Sequence, residues 1–108
     1  MQFDEQHNGQ QVELSPGVAF DVRLSEQPTT GFRWRIDTSG EPACSLRGDT
    51  FDAGASAHGG GGLRVLHFET VEPGLGVIEL AYRRAWETSV APARQFVLRV
   101  QVAPARAS

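Results

Sequence analysis

"VAFDVRLSEQPTTGFRWRID", residues 18–37, holds two strands and the turn between them. In its first half Val18, Phe20, Val22 and Leu24 fall on one face, and Ala19, Asp21, Arg23 and Ser25 fall on the other. That period of two marks a half-buried strand. After the turn, Phe32, Trp34 and Ile36 face inward while Arg33, Arg35 and Asp37 face outward. A plain connector needs only turn chemistry, yet this one runs Gln27-Pro28-Thr29-Thr30-Gly31, with an aromatic strand bracing its far side.

The same period recurs downstream. "QFVLRVQV" (95–102) sets Phe96, Leu98, Val100 and Val102 against Gln95, Val97, Arg99 and Gln101, and "GVIELAYRR" (76–84) alternates through Ile78, Leu80 and Tyr82. "LRVLHFETV" (63–71) is less regular, but Leu66 and Phe68 share a face. Turn chemistry separates these runs at Ser15-Pro16-Gly17 and Pro73-Gly74. Asn8-Gly9 predicts a two-residue hairpin joining a strand near Gln2–Gln6 to one near Gln10–Leu14. No long segment has helical periodicity, so the chain is expected to be an all-β sandwich of about seven to eight antiparallel strands.

With 108 residues the chain has the length of one domain, and 40% hydrophobic content suffices for one core. Twelve glycines and six prolines favour strands and turns over a helical bundle. The net charge of -3 disfavours a nucleic-acid partner, and the ten basic residues, all arginine, form no polybasic run for a membrane surface. No apolar run approaches the roughly 20 residues needed to span a bilayer. Cys44 is the only cysteine, so no internal disulfide forms, and it reads as a small buried hydrophobe. The polar, acidic "MQFDEQHNGQ" is not a signal peptide. The chain is therefore expected in the cytoplasm, or in the periplasm or outside the cell if Met1 follows a removed leader.

Enzyme chemistry finds no support. His7, His58 and His67 match no zinc spacing, and Cys44 has no CxxC partner. His67, between Leu66 and Phe68, reads as an exposed strand residue. Gly59, Gly60, Gly61 and Gly62 are followed by Leu63-Arg64-Val65, which is strand, so the run is no phosphate loop. It reads as a flexible linker or as backbone that a partner approaches closely. Trp86, in "RRAWET", is either a plug for the end of the sandwich or an exposed, arginine-flanked anchor of the kind that dominates protein interfaces. No metal or cofactor is implied.

Taken in order, Gln27-Pro28-Thr29-Thr30-Gly31-Phe32, Gly59-Gly60-Gly61-Gly62 and Tyr82-Arg83-Arg84-Ala85-Trp86-Glu87 make the chain resemble the chagasin-type inhibitors of papain-like cysteine peptidases. That family's loops read Asn-Pro-Thr-Thr-Gly-aromatic, a Gly-x-x-Gly-type element opening a strand, and Arg-Pro-Trp after a strand ending in Tyr. Gln27 and Ala85 depart from this pattern, replacing Asn and Pro. The resemblance runs from about Val12 to Val102, within a single domain 1–108 whose tail is 103–108.

It implies an immunoglobulin-like β-sandwich, not an enzyme, acting as a monomeric, reversible, non-covalent inhibitor whose partner is a papain-like cysteine peptidase. The implied binding residues are Gln27, Pro28, Thr29, Thr30, Gly31, Phe32, Gly59, Gly60, Gly61, Gly62, Arg84, Ala85 and Trp86. The first loop would lie over the catalytic cysteine uncut, the second along the cleft, and Trp86 on an aromatic surface. The competing expectation is an immunoglobulin-like adhesion or carbohydrate-binding module.

Overall fold

The computed structural model describes residues 1–53, 61–87 and 89–104. Eight strands follow in order: β1 (Gln2–Phe3), β2 (Gln10–Leu14), β3 (Ala19–Glu26), β4 (Phe32–Ser39), β5 (Cys44–Asp52), β6 (Gly62–Thr70), β7 (Gly74–Arg84) and β8 (Arg94–Val102). They form two four-stranded sheets, ordered β1-β3-β6-β5 and β2-β8-β7-β4.

The alternating residues behave as their period demands. Phe20, Val22 and Leu24 of β3 and Phe96, Leu98, Val100 and Val102 of β8 are buried, as are Trp34, Ile78, Leu80 and Tyr82. Phe20 lies directly across from Phe68 in the β3–β6 register, and their rings stack at 5.3 Å. Such a cross-strand aromatic pair adds about 0.5–1.5 kcal/mol beyond its buried area. Together these side chains make the layer between the sheets, an immunoglobulin-like sandwich.

The predicted N-terminal hairpin does not form. The first strand ends at Phe3, and a short 3-10 helix at Glu5–His7 carries the chain from one sheet to the other. Asp4 caps that helix, its carboxylate accepting from Gln6 N at 2.9 Å while Asp4 N donates to His7 Nδ1 at 3.1 Å. Asn8-Gly9 does turn the chain, with Gly9 at φ +82°, but its partners belong to β8. Gly9 N donates to Val97 O at 2.7 Å, and Val97 N donates to Asn8 Oδ1 at 2.8 Å. The turn therefore starts β2 alongside β8 rather than back along β1. As a result β1 pairs with β3 and β2 with β8 in parallel, while the other four pairings are antiparallel as expected.

Cys44 is fully buried, and burial pushes its thiol from an ordinary 9.0 up to about 11. The unfolded chain therefore releases this proton near pH 9, while the folded chain holds it until about pH 11. Its contribution to stability is intact below the unfolded value and is lost as pH rises through the folded one. Urea denaturation should show stability falling between pH 9 and 11 more steeply in the wild type than in Cys44→Ala. An aromatic disulfide reagent at pH 8 should leave the native thiol untouched and titrate it once denaturant is added.

Candidate functional site

Register brings three connections to one end of the sandwich. Glu26, the last residue of β3, pairs with Gly62, the first of β6, and Asp52 at the end of β5 pairs with Leu63. In the other sheet Phe32, the first residue of β4, pairs with Arg84 at the end of β7, and Tyr82 pairs with Arg94 where β8 begins. Loop 1 (27–31), loop 2 (53–61) and loop 3 (85–93) therefore leave from the same end.

Loop 1 is held from within. Its core is a 3-10 helix at Pro28–Thr30. Thr30 donates to the Gln27 carbonyl twice, through Oγ1 at 2.7 Å and through N at 3.2 Å. Thr30 Oγ1 also accepts from Phe32 N at 3.4 Å. The Thr30 hydroxyl thus works inside the loop, whereas Thr29 stands exposed at its crest. Gly31 leaves the helix at φ +82°, a conformation that strains any residue with a Cβ. Gln27 N donates to the Tyr82 hydroxyl at 2.9 Å, and the Tyr82 ring contacts those of Phe32 and Trp34 at 5.3 and 4.9 Å. The aromatics after the turn therefore brace its near side as well as its far side.

Loop 3 leans on loop 1 through Arg84. Its Nε donates to Thr30 O at 3.2 Å, and its guanidinium lies 4.5 Å from the centre of the Phe32 ring and 5.9 Å from that of Trp86. Arg84 Nη1 also pairs with Glu87 at 3.0 Å, across a turn closed by Glu87 N donating to Arg84 O at 3.1 Å. These bonds shape the turn without the proline that Ala85 replaces. The two readings of Trp86 are decided by its 69% exposure: it is not a plug. Its ring rests on Gly31, so close that a Cβ at Gly31 would lie 2.7 Å from it.

Of the second loop's glycines, Gly61 and Gly62 are placed, while Gly59 and Gly60, like His58, lie outside the described residues. Gly61 borders loop 1, where a Cβ would stand 3.3 Å from Gln27 Cγ. Gly62 is confined by β5, where a Cβ would meet Asp52 O at 2.5 Å and the Phe51 ring at 2.7 Å. The strand-opening glycine is therefore a packing requirement whatever the rest of the run does.

Beneath loops 1 and 2 lies a charged cluster that the sequence reading missed. Glu26 is 0% exposed. Its carboxylate accepts from Trp34 N at 2.9 Å and from Arg64 at 2.6 and 3.2 Å, and Arg64 reaches Asp49 at 2.9 Å. Hydrogen bonding to Glu26 above all holds the Arg64 guanidinium more firmly protonated, against the opposing effect of burial. A signal was present: Glu26 continues the inward series Phe20, Val22, Leu24, and a carboxylate at such a position needs a buried partner.

Among the described residues, no group of three or more His, Cys, Asp or Glu is placed to hold a metal ion. His67 lies on the outer side of its sheet, partly exposed, between Asp21 Oδ1 at 2.7 Å and Thr50 Oγ1 at 3.1 Å. It ties together three neighbouring strands and stands apart from the three loops.

A rigid sandwich presenting a threonine-glycine turn, a glycine-opened strand and an arginine–tryptophan turn at one end has the layout of a loop-based recognition scaffold. Comparison with known proteins gives the scaffold its family. The model of the chagasin family of peptidase inhibitors, I42, matches residues 13–100, and the chain belongs to that family. It is 30% identical to Amoebiasin-1 of Entamoeba histolytica over 107 residues, covering 94% of this chain and 99% of that one. It is 26% identical to chagasin of Trypanosoma cruzi over 85 residues, 74% of this chain and 77% of that protein. Its fold matches the crystal structure of the cysteine protease inhibitor EhICP2 from Entamoeba histolytica with a TM-score of 0.80 at 24% identity, covering 94% and 92% of the two chains. The family is one of peptidase inhibitors, not of enzymes.

Replacing Glu26 by Gln should lower folding stability by about 3 kcal/mol, because it leaves Arg64 with a neutral amide on its buried side and only the half-exposed Asp49 as countercharge. Equilibrium urea denaturation measures this, and a loss below about 1 kcal/mol would mean that the pair contributes no more than an exposed one.

Proposed function

We propose that the protein is a reversible, non-covalent, tight-binding inhibitor of papain-like cysteine peptidases, and that loops 1, 2 and 3 together occlude the active-site cleft. The observation that carries this reading is the joined surface of loops 1 and 3. An exposed Trp86 lies on the Gly31 backbone, with Arg84 bonded to Thr30 O between them.

Blocking a nucleophile without being cut requires a segment that enters the cleft and holds a pose the thiolate cannot attack productively. Loop 1 suits that task. Thr30 closes its helical turn, Gly31 redirects the chain, and Tyr82 fixes its entry at Gln27. Little conformational freedom is then left to lose on binding. Thr29, at the crest, is the side chain offered to the catalytic centre, with Gln27 and Phe32 flanking it and Pro28 part of the entering segment.

Trp86 supplies a large rigid apolar face beside it, and Arg84 and Ala85 complete that contact. The run Gly59, Gly60, Gly61 and Gly62 has no side chains to hold a partner off, and in the proposed complex it would offer its backbone for strand-like hydrogen bonding along the substrate-binding side of the cleft. The partner is a protein, and no metal or cofactor takes part.

Titration of papain, read on a fluorogenic dipeptide substrate, tests the proposal. Activity should fall stoichiometrically and return on dilution, with the inhibitor recovered uncut. Trp86→Ala should raise the inhibition constant about thirtyfold, the loss of about 2 kcal/mol typical of an interface anchor, while leaving the melting temperature unchanged. Thr30→Arg should abolish entry. Absence of inhibition of papain and of cathepsin-like peptidases at micromolar concentration would give precedence to the adhesion or carbohydrate-binding reading.

A further inference from the structure

The hydrogen-bonding edge of β3 has strand partners for only part of its length. β1 pairs with it at Asp21 and Val22 and then stops. The backbone beyond, which runs directly into loop 1, is completed by side chains. Trp34 Nε1 donates to Ser25 O at 2.8 Å, and Gln27 N donates to the Tyr82 hydroxyl. The Ser25 amide is taken by Glu5, whose Oε1 accepts from Ser25 N at 3.0 Å and from Ser25 Oγ at 3.2 Å. The other carboxylate oxygen accepts from Ser25 Oγ at 3.1 Å and from Arg94 Nη2 at 3.3 Å. Arg94 opens β8, immediately after loop 3, and its guanidinium lies over the rings of Trp34 and Tyr82 at 5.4 and 5.8 Å.

We propose that Glu5 is a positioning residue for inhibition: one carboxylate from the N-terminal segment fastens the root of loop 1, at Ser25, to the root of loop 3, at Arg94. The proposal rests on the function given above. Glu5 stands outside residues 13–100, the stretch matched by the family model. Its placement is built rather than incidental. Phe3, buried against Phe20 at 5.8 Å, anchors the segment, and the Asp4–His7 cap fixes the helical turn that carries Glu5. The Glu5 and Arg94 side chains are 38% and 44% exposed, so their ion pair is screened and the bond to the Ser25 amide carries most of the effect. Loops 1 and 3 already touch where loop 1 ends and loop 3 begins, through Gly31 and Trp86, and Glu5 adds a second tie where loop 1 begins and loop 3 ends.

The test compares Glu5→Ala, Glu5→Gln and Arg94→Met in the full chain, with the amount of folded protein measured for each. Against papain, Glu5→Ala should raise the inhibition constant about tenfold, mainly through slower association. Glu5→Gln keeps an acceptor for Ser25 N, loses the charge opposite Arg94, and should recover part of that loss. Arg94→Met should give a smaller rise. In the free protein, backbone amide exchange followed by NMR should speed up at Ser25, Gln27 and Thr30 in Glu5→Ala and stay near the wild-type rate in Glu5→Gln.

Unchanged inhibition per folded molecule, with only the melting temperature lowered, would make Glu5 a stability residue and overturn the proposal. If wild type fails to inhibit papain, the functional reading falls by itself, and the exchange rates still decide the brace. Acceleration confined to the loop 1 root upholds it, and no acceleration there overturns it.

Discussion

A carboxylate with no access to water sits where the two sheets meet the loops, and the arrangement of that end of the molecule depends on how it is satisfied. Glu26 belongs to β3, accepts from the backbone of β4 in the opposite sheet, and takes both a guanidinium nitrogen pair and its countercharge from β6. Desolvating a carboxylate costs several kcal/mol, which only well-directed donors offset. The geometry of those donors is therefore stringent: β4 must present Trp34 N, from its third residue, to Glu26, and Arg64 must turn inward from β6. The span of loop 1 follows from the first condition. The placing of Gly62, two residues before Arg64, follows from the second.

From that root the loops derive their stiffness by different means. Loop 1 is self-bonded through Thr30 and roofed by aromatic rings. Loop 3 has no proline, and an arginine serves in its place by touching two rings, a carbonyl and a carboxylate at once. Arginine can do this because its planar, delocalised charge both stacks and donates, which a lysine ammonium cannot match. The chain holds ten arginines and no lysine, and at the loop end Arg64, Arg84 and Arg94 are each engaged with a ring and an acid together.

Much of this was legible in the sequence. Strict alternation located β3, β4, β7 and β8 and their buried faces, because a half-buried strand has little freedom to hide its period. The lone buried cysteine and the turns at Gly17 and Pro73-Gly74 were equally plain. Asn8-Gly9 misled for a physical reason: its dihedral preference is local, but whether the turn folds a chain back on itself depends on which backbone waits beside it, here that of Val97. The two parallel edge pairings escaped for the same cause. Trp86 stayed undecided because exposure is a property of the assembled surface. Glu5 gave no sign at all, since an acid in a polar segment looks like solvated surface until Ser25 and Arg94 are brought to it.

The crossing of the first fourteen residues from one sheet to the other has a consequence beyond the loops. Each four-stranded sheet has two open sides, and an unpaired side is a template on which a second molecule can add its own strand. Here β1 is the outer strand of one sheet and β2 that of the other, so a single segment supplies one border of both layers, a short one beside β3 and a longer one beside β8. That segment is thus a selvedge, the woven border that keeps a cloth from unravelling into its neighbour. Without it the backbones of β3 and β8, both longer than the strands that border them, would become those edges and stand open to a strand from a second molecule.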